Sequence, residues 1–167
     1  MQDALPDTVI PRRAGSQALR LSGRLPGAAL PRLSAAFRQV EALRVDLVFS
    51  EAGTDRVLVT GQAQTRVRAR CQRCLEEFEM GINADIEVEF GLPDAVSAHA
   101  REVLTGLDDK LLLSEFLEDE LLLGAPMTTL HEAGDCYPPG AIEEAEELPP
   151  ARRNPFGDLT KLLGNKD

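Results

Sequence analysis

The chain has 167 residues and a formal net charge of −10, with 43% hydrophobic residues, 28% charged residues and no Trp. This composition predicts one soluble, cytoplasmic globular domain with an aliphatic core, because the sequence shows neither a secretory signal nor the roughly 18 consecutive apolar residues of a membrane span. An acidic surface repels phosphate on average, so nucleic-acid binding requires a local basic patch, whereas a basic protein partner fits the overall charge.

Polarity patterns predict the elements of the first half of the chain. Residues 17–25 alternate as in a short strand, and residues 27–40 place apolar side chains at helical spacing, with Pro31 in the first turn. Residues 42–70 predict two strands joined by the turn sequence SEAGTD. The apolar positions alternate on both of these strands, which is typical of a meander.

The second half begins with the sharpest alternation, over residues 78–90, which predicts a long half-buried strand. Residues 91–109 have weak periodicity and predict a loop. Residues 110–123 carry an apolar stripe at helical spacing, followed by Gly124 and Pro126, and this helix is expected to cover the sheet.

The last 31 residues have a different composition from the rest. Residues 137–153 are rich in Pro and Glu and predict a flexible linker, and the following NPFGDLTKLLG predicts a short amphipathic helix. We therefore expect an α+β fold in residues 1–136, with an antiparallel meander sheet that can curl into a partial barrel and is covered by helices. Residues 137–167 are expected to form the acidic linker and tail helix.

The sequence CQRC at residues 71–74 lies between two predicted strands, so it is expected to form the turn of a hairpin. Two cysteines three positions apart can supply half of a tetrahedral zinc site, and His131 and Cys136 can supply the other half. His99 is a weaker substitute. A redox pair and reduced, unligated thiols remain alternatives, although a hairpin lacks the helix N-terminus that lowers a thiol pKa. An odd number of cysteines favours reduced thiols or a metal over structural disulfides.

A series of arginines leads into this turn. Cross-strand pairing with Glu77 and Glu79 is one explanation for the series, and contact with RNA or an acidic partner is the other. The candidate contact residues here are Arg66, Arg68, Arg70 and Arg73.

The sequence offers no catalytic constellation. It has two His residues, no nucleophile elbow and no phosphate-cradling Gly-rich loop, and its consecutive carboxylates at residues 118–120 diverge around a helix. A non-enzymatic function is therefore expected, without a small-molecule substrate.

Several ordered motifs carry a family resemblance. The sequences CQRCLEEF, GLPD, EDELLLGAPM, HEAGDC, EELPP and RRNPFGDLTKLL, in this order, resemble the YceD family of large ribosomal RNA subunit accumulation proteins. The resemblance covers nearly the whole chain. It implies a bacterial cytoplasmic factor needed for normal accumulation of 23S ribosomal RNA, with no known catalytic activity. Some relatives have a second C-x-x-C after the helix, where this chain has His131 and Cys136.

The expected function is thus a ribosome biogenesis factor that acts on the large-subunit precursor through a basic ribosomal protein or rRNA, with one zinc ion as a candidate cofactor. Alternatives are a zinc-ribbon-like nucleic-acid-binding regulator and an RNA-processing enzyme. The tail is expected to dock on a partner, and its candidate contacts are Arg152, Arg153, Asn154, Pro155, Phe156 and Leu159.

Overall fold

The computed structural model describes residues 5–92 and 102–132 together with Cys136. Within these residues the regular elements follow one another in this order: β1 (Thr8–Val9), α1 (Pro11–Ser16), β2 (Arg20–Leu25), a 3-10 turn (Gly27–Ala29), α2 (Pro31–Ala36), β3 (Gln39–Val40), β4 (Leu43–Gly53), β5 (Arg56–Arg70), β6 (Glu77–Gly91), β7 (Glu102–Leu104), β8 (Leu111–Leu112) and α3 (Leu113–Gly124).

The centre of the fold is the hairpin of β5 and β6, each 15 residues long. The two strands pair without a register shift from Arg56 opposite Gly91 to Arg70 opposite Glu77. The alternation in the sequence explains this hairpin, because one face of each strand is apolar and buried while the other is polar and exposed.

The main sheet has the strand order β2-β4-β5-β6-β7, and β3 pairs with β5 beside the start of β4. Its pairings are antiparallel except for that of β6 with β7, which is parallel. The described strands do not close into a barrel. A small second sheet pairs β1 with β8.

Helices cover the apolar face of the sheet. Helix α3 packs on β6, and α1 packs on β4 and β5. The side chains of Leu113, Phe116, Leu117 and Leu121 join the apolar residues of β4, β5 and β6 in one buried core. No described helix has the length and apolar character needed to cross a membrane.

The observed elements confirm the predicted α+β class with a mostly antiparallel sheet, and they differ from the sequence prediction in three places. The predicted helix over residues 27–40 is restricted to Pro31–Ala36, because the chain then pairs with β5. The predicted loop over 91–109 contains β7. The covering helix begins at Leu113, since Leu111 and Leu112 pair with β1. The predicted linker and tail helix lie outside the described residues.

Candidate metal centre

The turn between β5 and β6 fixes the first two cysteines. The Cys71 amide donates to the Glu76 carbonyl at 2.8 Å, and the Leu75 amide donates to the Cys71 carbonyl at 3.0 Å. Leu75 has a φ of 66°, a left-handed conformation that turns the chain back into β6. The side chain of Cys71 is fully buried, and Cys74 is buried beside it.

The segment that follows α3 returns to this turn. The Gln72 amide donates to the Thr129 carbonyl at 2.9 Å, and the Thr129 hydroxyl donates to the Arg70 carbonyl at 2.7 Å. The His131 ring packs against Phe78 with a centroid distance of 4.5 Å. These contacts bring His131 beside Cys74, and the described residue Cys136 is buried against Cys71.

The four candidate ligand atoms lie close together. The Sγ atoms of Cys71 and Cys136 are 3.5 Å apart, and Cys74 Sγ is 3.2 Å from His131 Nδ1. All four ligand atoms lie within 4.8 Å of one another. A tetrahedral zinc ion with Zn–S bonds of about 2.3 Å separates its sulfur ligands by roughly 3.8 Å. The observed separations lie on both sides of this value, and Cys and His are ligands that zinc prefers. The Cys₃His cluster can therefore hold a metal ion.

The surroundings of Cys71 and Cys74 shift the pKa values of these two thiols in opposite directions. Burial by itself raises the pKa of Cys71, but hydrogen bonds from the backbone of Cys74, His131 and Arg73 and from the Cys136 side chain outweigh it and lower the pKa to about 5. For Cys74, burial dominates and raises the pKa. These hydrogen bonds therefore favour the thiolate form of Cys71, and thiolate is the form that binds metal.

Arg73 supplies positive charge at the edge of the cluster. Its Nε donates to Cys136 Sγ at 3.0 Å, and its backbone amide donates to Cys71 Sγ at 3.5 Å. With a divalent ion bound, three thiolates and one imidazole would carry a net charge of −1, and the guanidinium group would offset charge that burial would otherwise penalise.

The other arginines of the series differ in their contacts. Arg68 forms an ion pair with Glu79 at 3.6 Å, and the Arg70 Nε donates to the Leu75 carbonyl at 2.8 Å. Arg66 forms no ion pair with a described residue and lies opposite Gly81 on β6. The candidate contacts in the tail, Arg152, Arg153, Asn154, Pro155, Phe156 and Leu159, lie outside the described residues, as does His99.

The structure also places together residues that the sequence analysis did not select. Arg24 lies directly opposite Arg44, on the same exposed face as Arg66. Alternation alone assigns these residues to the outer face of their strands. Their alignment depends on the register of β2 with β4, which the sequence pattern does not determine.

The comparison with family models matches residues 59–163 to the model described as large ribosomal RNA subunit accumulation protein YceD. The match begins within β5, includes β6 and α3, and contains all four residues of the Cys₃His cluster. Neither the curated proteins nor the solved structures yield a match. Because the family model covers more than half of the chain, the protein belongs to the YceD family of large ribosomal RNA subunit accumulation proteins.

Proposed function

We propose that this protein is a non-enzymatic ribosome biogenesis factor that supports the synthesis, processing or stability of 23S rRNA in the cytoplasm. It does so by binding the large-subunit precursor through rRNA or a basic ribosomal protein. The observation that carries the proposal is the family match, which spans the central hairpin, the covering helix and the cysteine cluster. The family description itself refers to accumulation of large-subunit ribosomal RNA.

We further propose that Cys71, Cys74, His131 and Cys136 bind one structural zinc ion. Catalytic zinc sites usually have three protein ligands and leave one position open for water or substrate, whereas structural sites have four. This cluster provides four ligand groups, and its three cysteines are buried. Such a closed site supports a role in folding and partner presentation rather than in hydrolysis.

The function is tested by depleting the protein and measuring the ratio of 23S to 16S rRNA. We expect the ratio to fall and to recover when the wild-type chain is supplied. A Cys71→Ser chain should restore it poorly, because this change removes a metal ligand. Equal loss of both rRNAs, or an unchanged ratio, would contradict the proposal.

The zinc proposal is tested by measuring the metal content of the purified protein. Protein purified without a polyhistidine tag should contain about one zinc per chain by elemental analysis. The Cys136→Ser chain should contain much less, whereas a Gln72→Ala chain should retain zinc because the exposed Gln72 side chain lies in the same turn without contributing a ligand atom. Metal-free wild-type protein would contradict the zinc proposal while leaving the rRNA result to be judged separately.

A further inference from the structure

The outer face of the sheet carries an unusual alignment of positive charge. Arg24 on β2 lies directly opposite Arg44 on β4, and Arg44 lies opposite Gln64 on β5. Arg66 is the next outward residue of β5, and all three arginines are exposed. We refer to Arg24, Arg44 and Arg66 as the arginine face.

This alignment is unfavourable for the isolated fold. Directly opposite side chains on antiparallel strands have Cβ atoms about 5 Å apart, and like charges at such positions destabilise the pairing. Among the described residues, none of the three arginines forms an ion pair. The like charges of the arginine face therefore lower the stability of the fold, and no ion pair with a described residue compensates for this loss. Residues that lower stability in this way are typical of a binding surface.

The outward residues of the neighbouring strand β6 are acidic except beside the arginine face. The outward residues of β6 are acidic at Glu77 and Glu79 and again at Asp85 and Glu87. Between these pairs, Gly81 lies opposite Arg66 and Asn83 lies opposite Gln64. The carboxylates that would neutralise a guanidinium group are therefore missing from β6 beside the arginine face, whereas Arg68 does pair with Glu79.

The missing side chain at position 81 leaves the surface open. A Cβ atom placed on Gly81 would have no neighbour within 4 Å, so internal packing does not require glycine there. A cleft of about 550 Å³ occupies this region, and its lining includes Glu41, Arg44, Gln64, Arg66, Gly81 and Asn83.

Two exposed carboxylates border the arginine face. Glu41 lines the cleft, and Asp46 is the next outward residue of β4 after Arg44. Neither forms an ion pair with the three arginines, so the guanidinium groups retain their hydrogen-bond donors for an external anion.

We propose that the arginine face binds the phosphodiester backbone of RNA, an inference that rests on the proposed function and makes RNA the direct partner. Guanidinium groups bind phosphate with paired hydrogen bonds, and a row of them suits a chain of repeated negative charges. Gln64 and Asn83 extend the row with amide donors and acceptors, which suit ribose hydroxyls.

The same surface predicts how selective this binding is. The described outward residues of β2, β4 and β5 include no aromatic side chain on which an unpaired base could stack. Recognition through phosphate and ribose contacts fixes position on an RNA while carrying little direct sequence information. The face therefore suits a folded RNA recognised by its backbone.

The test measures binding of the full chain, as purified, to a fluorescently labelled fragment of 23S rRNA at several salt concentrations. The variant with Arg24→Gln, Arg44→Gln and Arg66→Gln should bind at least about 10-fold more weakly near 0.1 M salt. The slope of log affinity against log salt should decrease by about 2 to 3, since each lost phosphate contact removes slightly less than one unit.

The matched control changes Arg13, Arg38 and Lys110 to Gln. This control removes the same charge from exposed side chains outside the arginine face. Arg13 lies on α1, which packs on β4 and β5, Lys110 precedes β8, and Arg38 is paired with Glu77. Its affinity should fall less than about threefold, because fewer phosphate contacts are lost. An equal loss in both triple variants would overturn the proposal, as would wild-type protein that does not bind the RNA.

A second pair of variants tests the surface without removing any arginine. Gly81→Glu places a carboxylate opposite Arg66 and should weaken RNA binding, whereas Gly81→Ser should leave it nearly unchanged. Equal binding by these two variants would contradict the proposal. Displacement of the RNA by polyglutamate at equal charge concentration would also overturn it, in favour of an acidic protein partner.

The RNA-binding assay and the depletion experiment test two different proposals. RNA binding in vitro judges the arginine face, and the ratio of 23S to 16S rRNA on depletion judges the biogenesis role. If depletion lowers the ratio but the purified protein does not bind RNA, the surface assignment fails while the function stands. If the protein binds RNA through this face but depletion leaves the ratio unchanged, the function fails instead.

Discussion

Two glycines in the central hairpin have opposite surroundings. A Cβ atom on Gly61 would overlap the Asp46 carbonyl oxygen and lie 2.9 Å from the Leu47 Cα, whereas one on Gly81 would have no neighbour within 4 Å. The β4 backbone therefore approaches β5 too closely at residue 61 to admit a side chain. We expect Gly61→Ala to lower the free energy of unfolding by about 2–3 kcal/mol, measured by urea denaturation.

Gly81→Ala is the matched control on the neighbouring strand. Since glycine in a strand is less favourable than alanine by roughly 0.5–1 kcal/mol, this change should leave the free energy of unfolding unchanged or raise it slightly. A comparable loss of stability in both variants would show that close approach of β4 is not the reason for glycine at position 61.

At the scale of elements, a buried carboxylate of α3 accepts hydrogen bonds from α2. Glu118 is 2% exposed, and its Oε1 accepts the Leu33 amide hydrogen at 2.8 Å while its Oε2 accepts from Arg32 Nε at 2.9 Å. Helix α2 has no side-chain cap at Leu30, so Glu118 supplies the acceptor for its first turn. We expect Glu118→Ala to lower the free energy of unfolding by about 2–4 kcal/mol, because the Leu33 amide becomes a buried donor without a partner.

Asp119 provides the comparison for this contact. It also pairs with Arg32, but its side chain is 56% exposed. Asp119→Ala should lower the free energy of unfolding by less than about 1 kcal/mol in the same denaturation experiment. If this change destabilised the protein as much as Glu118→Ala, the ion pair rather than the buried amide contact would hold the two helices together.

The elements that depend on local alternation could be predicted from the sequence, and those that depend on distant pairing could not. The alternating runs of residues 57–67 and 78–90 predicted β5 and β6, since each has one apolar face. The helix predicted over residues 27–40 was too long, because Gln39 and Val40 pair with Arg68 and Val67 of β5. No helical pattern reveals a competing strand almost 30 residues away.

The candidate metal ligands were predictable because few residues of this chain can bind a soft metal ion. Two histidines and three cysteines leave a small number of ligand sets, and the structure brings together the set formed by Cys71, Cys74, His131 and Cys136. The arginine face was not predictable in the same way. Arg24 and Arg44 become neighbours only through the register of β2 with β4, which requires the folded sheet.

At the scale of the whole molecule, the Cys₃His cluster joins two distant parts of the chain. It links the turn of the β5–β6 hairpin to the segment that follows α3, so that Cys74 and His131 meet across a separation of 57 residues. A metal that binds the folded state and not the unfolded chain contributes its binding free energy to folding. The proposed zinc ion should therefore stabilise the association of the covering helix with the sheet.

This arrangement predicts that removing zinc lowers the melting temperature of the whole domain. Chelator should lower the Tm by on the order of 10 °C, because a structural zinc site contributes several kcal/mol. Cys71→Ser and Cys136→Ser should melt at the lower temperature with or without chelator, whereas Gln72→Ala should still respond to it. A wild-type Tm that does not respond to chelator would show that hydrogen bonds and packing hold the two parts of the chain together without metal.

Acid should destabilise the domain in the same direction as chelator. In the metal-free cluster, hydrogen bonds lower the pKa of Cys71 from its ordinary 9.0 to about 5, so the stability that this thiolate contributes is fully present above pH 9 and is lost as the pH falls through 5. Zinc retention should also decline as the pH falls, because protons compete with the metal for the cysteine and histidine ligands.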